Sequence, residues 1–268
     1  PGVGPEHSAW KDAGRVRYAS VCADAALEFH EVKGEARGVP VTLNFRIDSG
    51  ATVMAACSSH GLQRLVTTLL KRQQDPLSGM ITVGGSDIVE AEPHALHQQI
   101  VLLDRPTVIA MTIREFLQLA GDQVTSAQVL EAVRIVGLDT VVSRFEKGLD
   151  TPINLTGWPL SITETMLLKL AAAILAEPRV LILNQLYDLV PEDVMIRVLH
   201  HLKTDKSNTV IYFTRRQRDI GCDTFIYLDH HRQHVFGSFE TFNAVVYEPR
   251  KQPLASGPTK PVTAIGSA

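Results

Sequence analysis

Residues Val180–Leu183 read VLIL, four apolar residues in a row with no polar position between them. A strand with no polar side must be buried on both faces, which is the situation of a strand inside a parallel sheet covered by helices. The flanking sequence agrees. Leu160 to Ala176 is rich in Leu, Ala and Met, has helical length, and is ended by Pro178. After VLIL come a second helical segment, Pro191 to Lys203, and the apolar run TVIYF, Thr209 to Phe213. FIYLD (Phe225 to Asp229) and HVFG follow and close the domain. Helix alternating with buried strand predicts a parallel sheet with helices packed on it.

The first half has a different pattern. From Ala25, ALEFHEV, VTLNFRI and ATVMAA read as strands, with Asp48-Ser49-Gly50 as a turn between the last two. The apolar positions Leu62, Leu65, Val66, Leu69 and Leu70 then have helical spacing. Asp75 to Gly79 is read as ending that helix, and MITVGG as a strand after it. A strand IVLLD, Ile100 to Asp104, precedes a helical block, TIREFLQLAG and SAQVLEAVRIVGL, with Ser126 as the expected N-cap of the latter. The fold class is therefore α/β: a parallel-sheet core, an antiparallel β subdomain and a helical subdomain. Residues 1–24 read as a linker or expression remnant, 25–247 as the domain, and 248–268, rich in Pro, Gly, Ser and Thr, as a disordered tail.

Composition excludes some functions. A formal net charge of -3 gives no general attraction to nucleic acid. Three cysteines, Cys22, Cys57 and Cys222, lie far apart without a CxxC pair, as in a reduced, cytosolic chain. No signal-peptide pattern opens the sequence, and no run of about 20 apolar residues exists to cross a bilayer. If this chain works at a membrane, the spanning part is another chain or a missing preceding segment, and the opening at Pro1 points to the latter.

Five short runs, in order, carry a resemblance. Asp75-Pro-Leu-Ser-Gly79 followed by ITVGGSDI has the form DPxSGxIxxxGxDI, and Thr112-Ile-Arg-Glu115 follows. Gly148-Leu-Asp-Thr151 precedes Gly157 and the pair Leu160-Ser161, and Glu177-Pro178 leads into VLIL. Together they resemble the nucleotide-binding (ATPase) domain of an ABC transporter, exporter type, over roughly Ala25 to Tyr247. The resemblance implies a P-loop NTPase-like fold on the cytoplasmic face of a membrane. It also implies coupling to a membrane-spanning domain, in the same or a separate chain, through the groove near Asp104 to Glu115, and pairing with a second such domain as a homo- or heterodimer.

The family's chemistry is replaced at nearly every position. Its phosphate loop, GxxxxGK followed by Ser or Thr, wraps phosphates in backbone N–H groups, with Lys and a magnesium-binding hydroxyl completing the site. The family spacing places that loop on Cys57, Ser58, Ser59, His60, Gly61, Leu62, Gln63 and Arg64. Cys57 and Leu62 thus stand for glycines, Gln63 for the lysine and Arg64 for the hydroxyl. Losing the lysine removes a charge-assisted contact of about 1.5–3 kcal/mol, and residues 57–64 are not expected to form a full N–H cradle. The adenine-stacking aromatic falls near Ala36, the Q-loop glutamine on Asp104, the D-loop aspartate on Pro191 and the switch histidine on Arg215. The Walker B Asp-Glu pair becomes Asn184-Gln185, amides that cannot serve as a base, where acid–base help is commonly worth about 10²–10⁴-fold. At the signature, Leu160 and Ser161 persist. Ile162 and Thr163 replace glycines, and Glu164 is expected to face a partner's phosphate.

The expectation is thus a pseudo-ATPase domain with no intact catalytic residue, no resident cofactor or metal, and ATP with magnesium held weakly at most. Two alternatives stay open. One is a soluble regulatory or scaffold module that keeps the fold for protein contacts; the other is an ABC ATPase that binds or hydrolyses ATP weakly. Lesser features have plain readings. His230, His231 and His234 read as a polar turn rather than a metal site, and His94 and His97 as an exposed segment. Cys57 is read as a small filler rather than a reactive thiol, and Arg215-Arg216-Gln217-Arg218 as a solvated basic loop.

Overall fold

A computed structural model of the chain describes residues 27–92, 96, 99–204 and 208–247. The readings of 1–24, of 248–268, and of His94 and His97 lie outside the described residues.

Five strands run parallel at the centre: β3 (Thr52–Cys57), β6 (Ile100–Leu103), β9 (Val180–Leu183), β10 (Thr209–Phe213) and β11 (Thr224–Leu228). With antiparallel β12 (Gln233–Phe236) on one edge, their order is β12-β11-β3-β10-β9-β6. The VLIL expectation holds: all four residues of β9 are buried. Alternation along the strands serves two cores. Val53, Ala55, Val180, Ile182, Ile211 and Phe213 point to one, and Met54, Ala56, Leu181, Leu183, Val210 and Tyr212 to the other.

The first core is closed by an antiparallel sheet of order β2-β1-β4-β5 and by helix α1 (His60–Leu70). Here β1 is Leu27–Ala36, β2 Val39–Ile47, β4 Ser78–Val83 and β5 Ser86–Asp87. The β1–β2 hairpin turns on Arg37 and Gly38, both at positive φ (53° and 78°). That pairing matches a two-residue turn of the type that follows strand twist. The second core lies under α5 (Ile162–Ala176), α6 (Glu192–Thr204) and the helical block α2 (Ile113–Gln118), α3 (Ser126–Ile135) and α4 (Asp139–Val142). A short ribbon of β7 (Met111–Thr112) and β8 (Pro152–Ile153) joins that block to the sheet region. A last helix, α7 (Phe239–Val246), packs Phe242 onto Phe225 and Phe236.

Three local expectations need correction. The N-cap of α3 is Thr125, not Ser126, because Thr125 closes a reciprocal capping box with Gln128. Helix α1 stops at Leu70, and Ser78 and Gly79 already belong to β4, so the Asp75–Gly79 run lies beyond the helix rather than ending it. The sequence reading closed the domain on HVFG, whereas α7 follows it. Among the described residues no helix is long and apolar enough to cross a membrane.

Candidate functional site

Parallel strands deliver the residues that follow them to one edge of the sheet, where open α/β sheets place their sites. Here those residues are Ser58, Asp104, Asn184, Thr214 and Asp229, after β3, β6, β9, β10 and β11. Two clefts open at this edge, one on each side of the first turn of α1. One, of about 370 Å³, is lined by Cys57 to His60, Gln63, Gln185, Thr214, Arg215 and Gln217, and roofed by Val246 and Tyr247. The other, of about 800 Å³, is lined by Arg37, Gly61, Arg64, Asp104, Arg105 and Asn184, among others. Gln63 borders both.

The turn between them is short. β3 ends at Cys57 and α1 begins at His60, so two residues, Ser58 and Ser59, connect them. Three N–H groups of this stretch are engaged within the chain. Ser58 N–H donates to Leu228 O (2.9 Å), Leu62 N–H to the Ser59 hydroxyl (3.2 Å) and Gln63 N–H to Ser59 O (3.3 Å). Ser59 is thus the N-cap of α1. Leu62, at a glycine position of the motif, is fully buried in the first core. The Arg37 side chain lies over Gly61, where an added Cβ would come within 2.9 Å of its Cγ.

Gln63 is 4% exposed, and its Nε2 finds no hydrogen-bond partner among the described residues. Arg64 is exposed and faces the larger cleft, away from Arg215. The amide pair also divides. Gln185 lines the smaller cleft, while Asn184 lines the larger one and caps the following 3-10 turn by accepting from Leu186 N–H (2.9 Å). Asp104, the Q-loop position, borders Asn184 in the larger cleft, and Ala36 is buried in β1. Burial pushes the Cys57 thiol up to about 12, the opposite of an activated thiolate. Asp229 to Arg232 form a turn, as read for His230 and His231, whereas His234 lies in β12; Ser58 Oγ lies 3.4 Å from His230 Nδ1. Among the described residues no group of three or more His, Cys, Asp or Glu is placed to hold a metal ion.

At the other motif position, Leu160 is buried and Ser161 caps α5 in a full capping box with Glu164. Glu164 accepts from Ser161 N–H (2.8 Å) and pairs with Arg144. Burial opposes its charge, but these bonds hold its carboxyl below the ordinary carboxylate range. Glu164 therefore does not stand as a bare charge toward a neighbour, as the sequence suggested.

One residue of the basic run departs from the expected solvated loop. Arg216 has a side chain only 13% exposed and is tied to the segment after β9. Its partner Asp188 was not singled out from the sequence at all. An acid next to a switch position gives no local signal, because the contact joins residues 28 apart.

No family model matches this sequence. Individual relatives do. An uncharacterized ABC transporter ATP-binding protein of Bacillus subtilis, YknV, is 26% identical over 213 residues, 77% of this chain and 35% of that protein. ABC transporter B family member 18 of Arabidopsis thaliana is 28% identical over 195 residues, 69% of this chain and 16% of that protein. The chain thus spans about a third or less of the length of these relatives. Among solved structures, a bacterial Atm1-family ABC exporter with ATP bound superposes with a TM-score of 0.75 at 20% identity, covering 91% of this chain and 44% of that one. At that identity the likeness speaks for the fold, and the curated relatives speak for the sequence. Together they make the chain similar in sequence to ABC transporter ATP-binding proteins and in fold to an ABC exporter's nucleotide-binding domain.

Proposed function

We propose that this chain is a pseudo-ATPase domain of an ABC exporter: it couples to a membrane-spanning domain and pairs with a second nucleotide-binding domain without turning ATP over itself. The observation that carries the reading is the β3–α1 junction. Its two-residue connection spends the Leu62 and Gln63 N–H groups on Ser59, where a phosphate loop would aim N–H groups at phosphate. The cleft beside it offers Gln63, Gln185 and Arg215, and no carboxylate among these three to order magnesium or polarise water. On this reading ATP and magnesium bind weakly at most.

Coupling to a second chain is supported by a surface. Ile109, Leu155 and Trp158 are 55%, 65% and 69% exposed. A backbone bond from Val108 N–H to Leu155 O brings the Ile109 loop beside the 154–158 loop, which the bond from Asn154 N–H to Trp158 O closes. Exposed apolar side chains grouped on neighbouring loops mark contact sites. Ile109 lies within the Asp104–Glu115 segment, where the membrane-spanning domain would dock, and Val108 of that segment bonds to Leu155.

The test is steady-state hydrolysis by the purified domain, alone and mixed with a competent nucleotide-binding domain. The reading expects none from this chain in either case. Steady magnesium-dependent turnover by the domain alone would overturn it. An upstream sequence without membrane helices, in a gene neighbourhood lacking a membrane-spanning partner, would instead favour the soluble scaffold.

A further inference from the structure

Asp188 and Arg216 join two segments that wall the smaller cleft. Asp188 follows β9. Its Oδ1 accepts from Tyr212 OH (2.6 Å) and Thr214 Oγ1 (2.5 Å), and its Oδ2 from Arg215 N–H (3.0 Å). Arg216 follows β10. Its Nε lies 3.2 Å from Tyr212 OH and 3.6 Å from Asp188 Oδ1. Its Nη2 donates to the backbone O of Asp188 (3.1 Å) and of Val190. Glu192, at the start of α6, lies 3.7 Å from Arg216 Nη1 and 3.6 Å from Arg218 Nη1. The two principal side chains are 24% and 13% exposed, so the pair is largely removed from water.

We infer that this pair is a clasp that makes residues 185–192 and 214–218 one mechanical unit. The reason is asymmetry of cost. A satisfied, desolvated charge network is stable as a whole, but separating one side leaves a buried charge and several polar groups without partners. Neither segment can open alone without that penalty. Arg215 and Gln217 flank Arg216, and Gln185 lies on the opposite segment; all three line the cleft. The clasp therefore holds Gln185 at a fixed distance from Arg215, whatever occupies the space between them. Asp188 is a positioning residue here, acting through the Arg215 backbone. The inference goes beyond the proposed function and does not depend on whether the cleft takes a nucleotide.

The test is hydrogen exchange of the 268-residue chain without nucleotide, for wild type and Asp188→Asn. In wild type, residues 185–192 and 214–218 are expected to exchange slowly and at one common rate. The variant is expected to speed both segments together, by about ten- to a hundred-fold, while residues 27–47 stay unchanged. Different rates for the two segments in wild type, release of only one in the variant, or an equal rise in residues 27–47 would each overturn the clasp. The last result would mean ordinary loss of global stability. Should Asp188→Asn fail to fold, Thr214→Val removes one donor to Asp188 and the acceptor of the Arg216 N–H, and is expected to give the same paired rise at smaller size; a rise confined to 214–218 would count against the inference.

Discussion

The first turns of α1 and α5 begin alike and are held differently. Each starts on a serine cap, Ser59 or Ser161. At α1 the first helical residue, His60, is exposed, but Gly61, Leu62 and Gln63 after it are buried, and no acid sits in the first turn. At α5, Ile162 is 60% exposed, and the turn is held by the Ser161–Glu164 box and the Arg144 pair. Packing fixes one helix start and polar capping the other. The electrostatic consequence differs too. The positive end of α5 already carries a carboxylate, whereas that of α1 carries none and opens on a cleft that includes Arg215. On the proposed reading, any residual attraction for an anion is expected at α1 and not at the start of α5.

The largest expected effect tests the packed start. Leu62→Gly restores the residue type a phosphate loop would have. It is expected to destabilise the fold by about 3–6 kcal/mol in denaturant titration, from the lost buried side chain and the helical glycine together, and to restore no nucleotide binding. A stable Leu62→Gly protein would show that the turn is not held by packing.

Ser161→Ala tests the capped start and should cost about 1 kcal/mol. Its pH dependence sharpens the comparison. The Glu164 carboxyl is held low in the folded chain, so its contribution is present above the ordinary carboxylate range. It is lost as the pH falls through the lowered value. Acid titration of stability should therefore be flatter in Glu164→Gln than in wild type, and no pH-dependent loss of this kind should trace to α1, whose first turn has no acid. The smallest effect is that of Arg144→Ala. It removes the more exposed partner of the Glu164 pair and should cost a few tenths to about 1 kcal/mol.

The sequence made the sheet legible because burial on both faces leaves a mark at every position, as in Val180–Leu183 and Thr209–Phe213. The five landmark runs carried the family for the same reason: they are local strings. The site was legible only as a row of positions. Motif spacing assigned the eight residues Cys57 to Arg64 to a loop, but it cannot tell such a loop from a two-residue connection with an early helix. The Ser59 cap and the burial of Leu62 and Gln63 settle that in three dimensions. The same limit hid α7 over the cleft, since Phe239 to Val246 pack through rings contributed by β11 and β12. It also hid the Asp188–Arg216 pair, which joins segments separated by α6 and β10.

The central claim is that the α1 end no longer forms a phosphate cradle. Its most direct test is titration of the isotopically labelled chain with magnesium ATP while following the backbone amides of Ser58 to Gln63. The account predicts no saturable shift of these amides at micromolar nucleotide, and at most weak, magnesium-independent shifts at millimolar levels. Saturable, magnesium-dependent shifts of those amides in the micromolar range would contradict it.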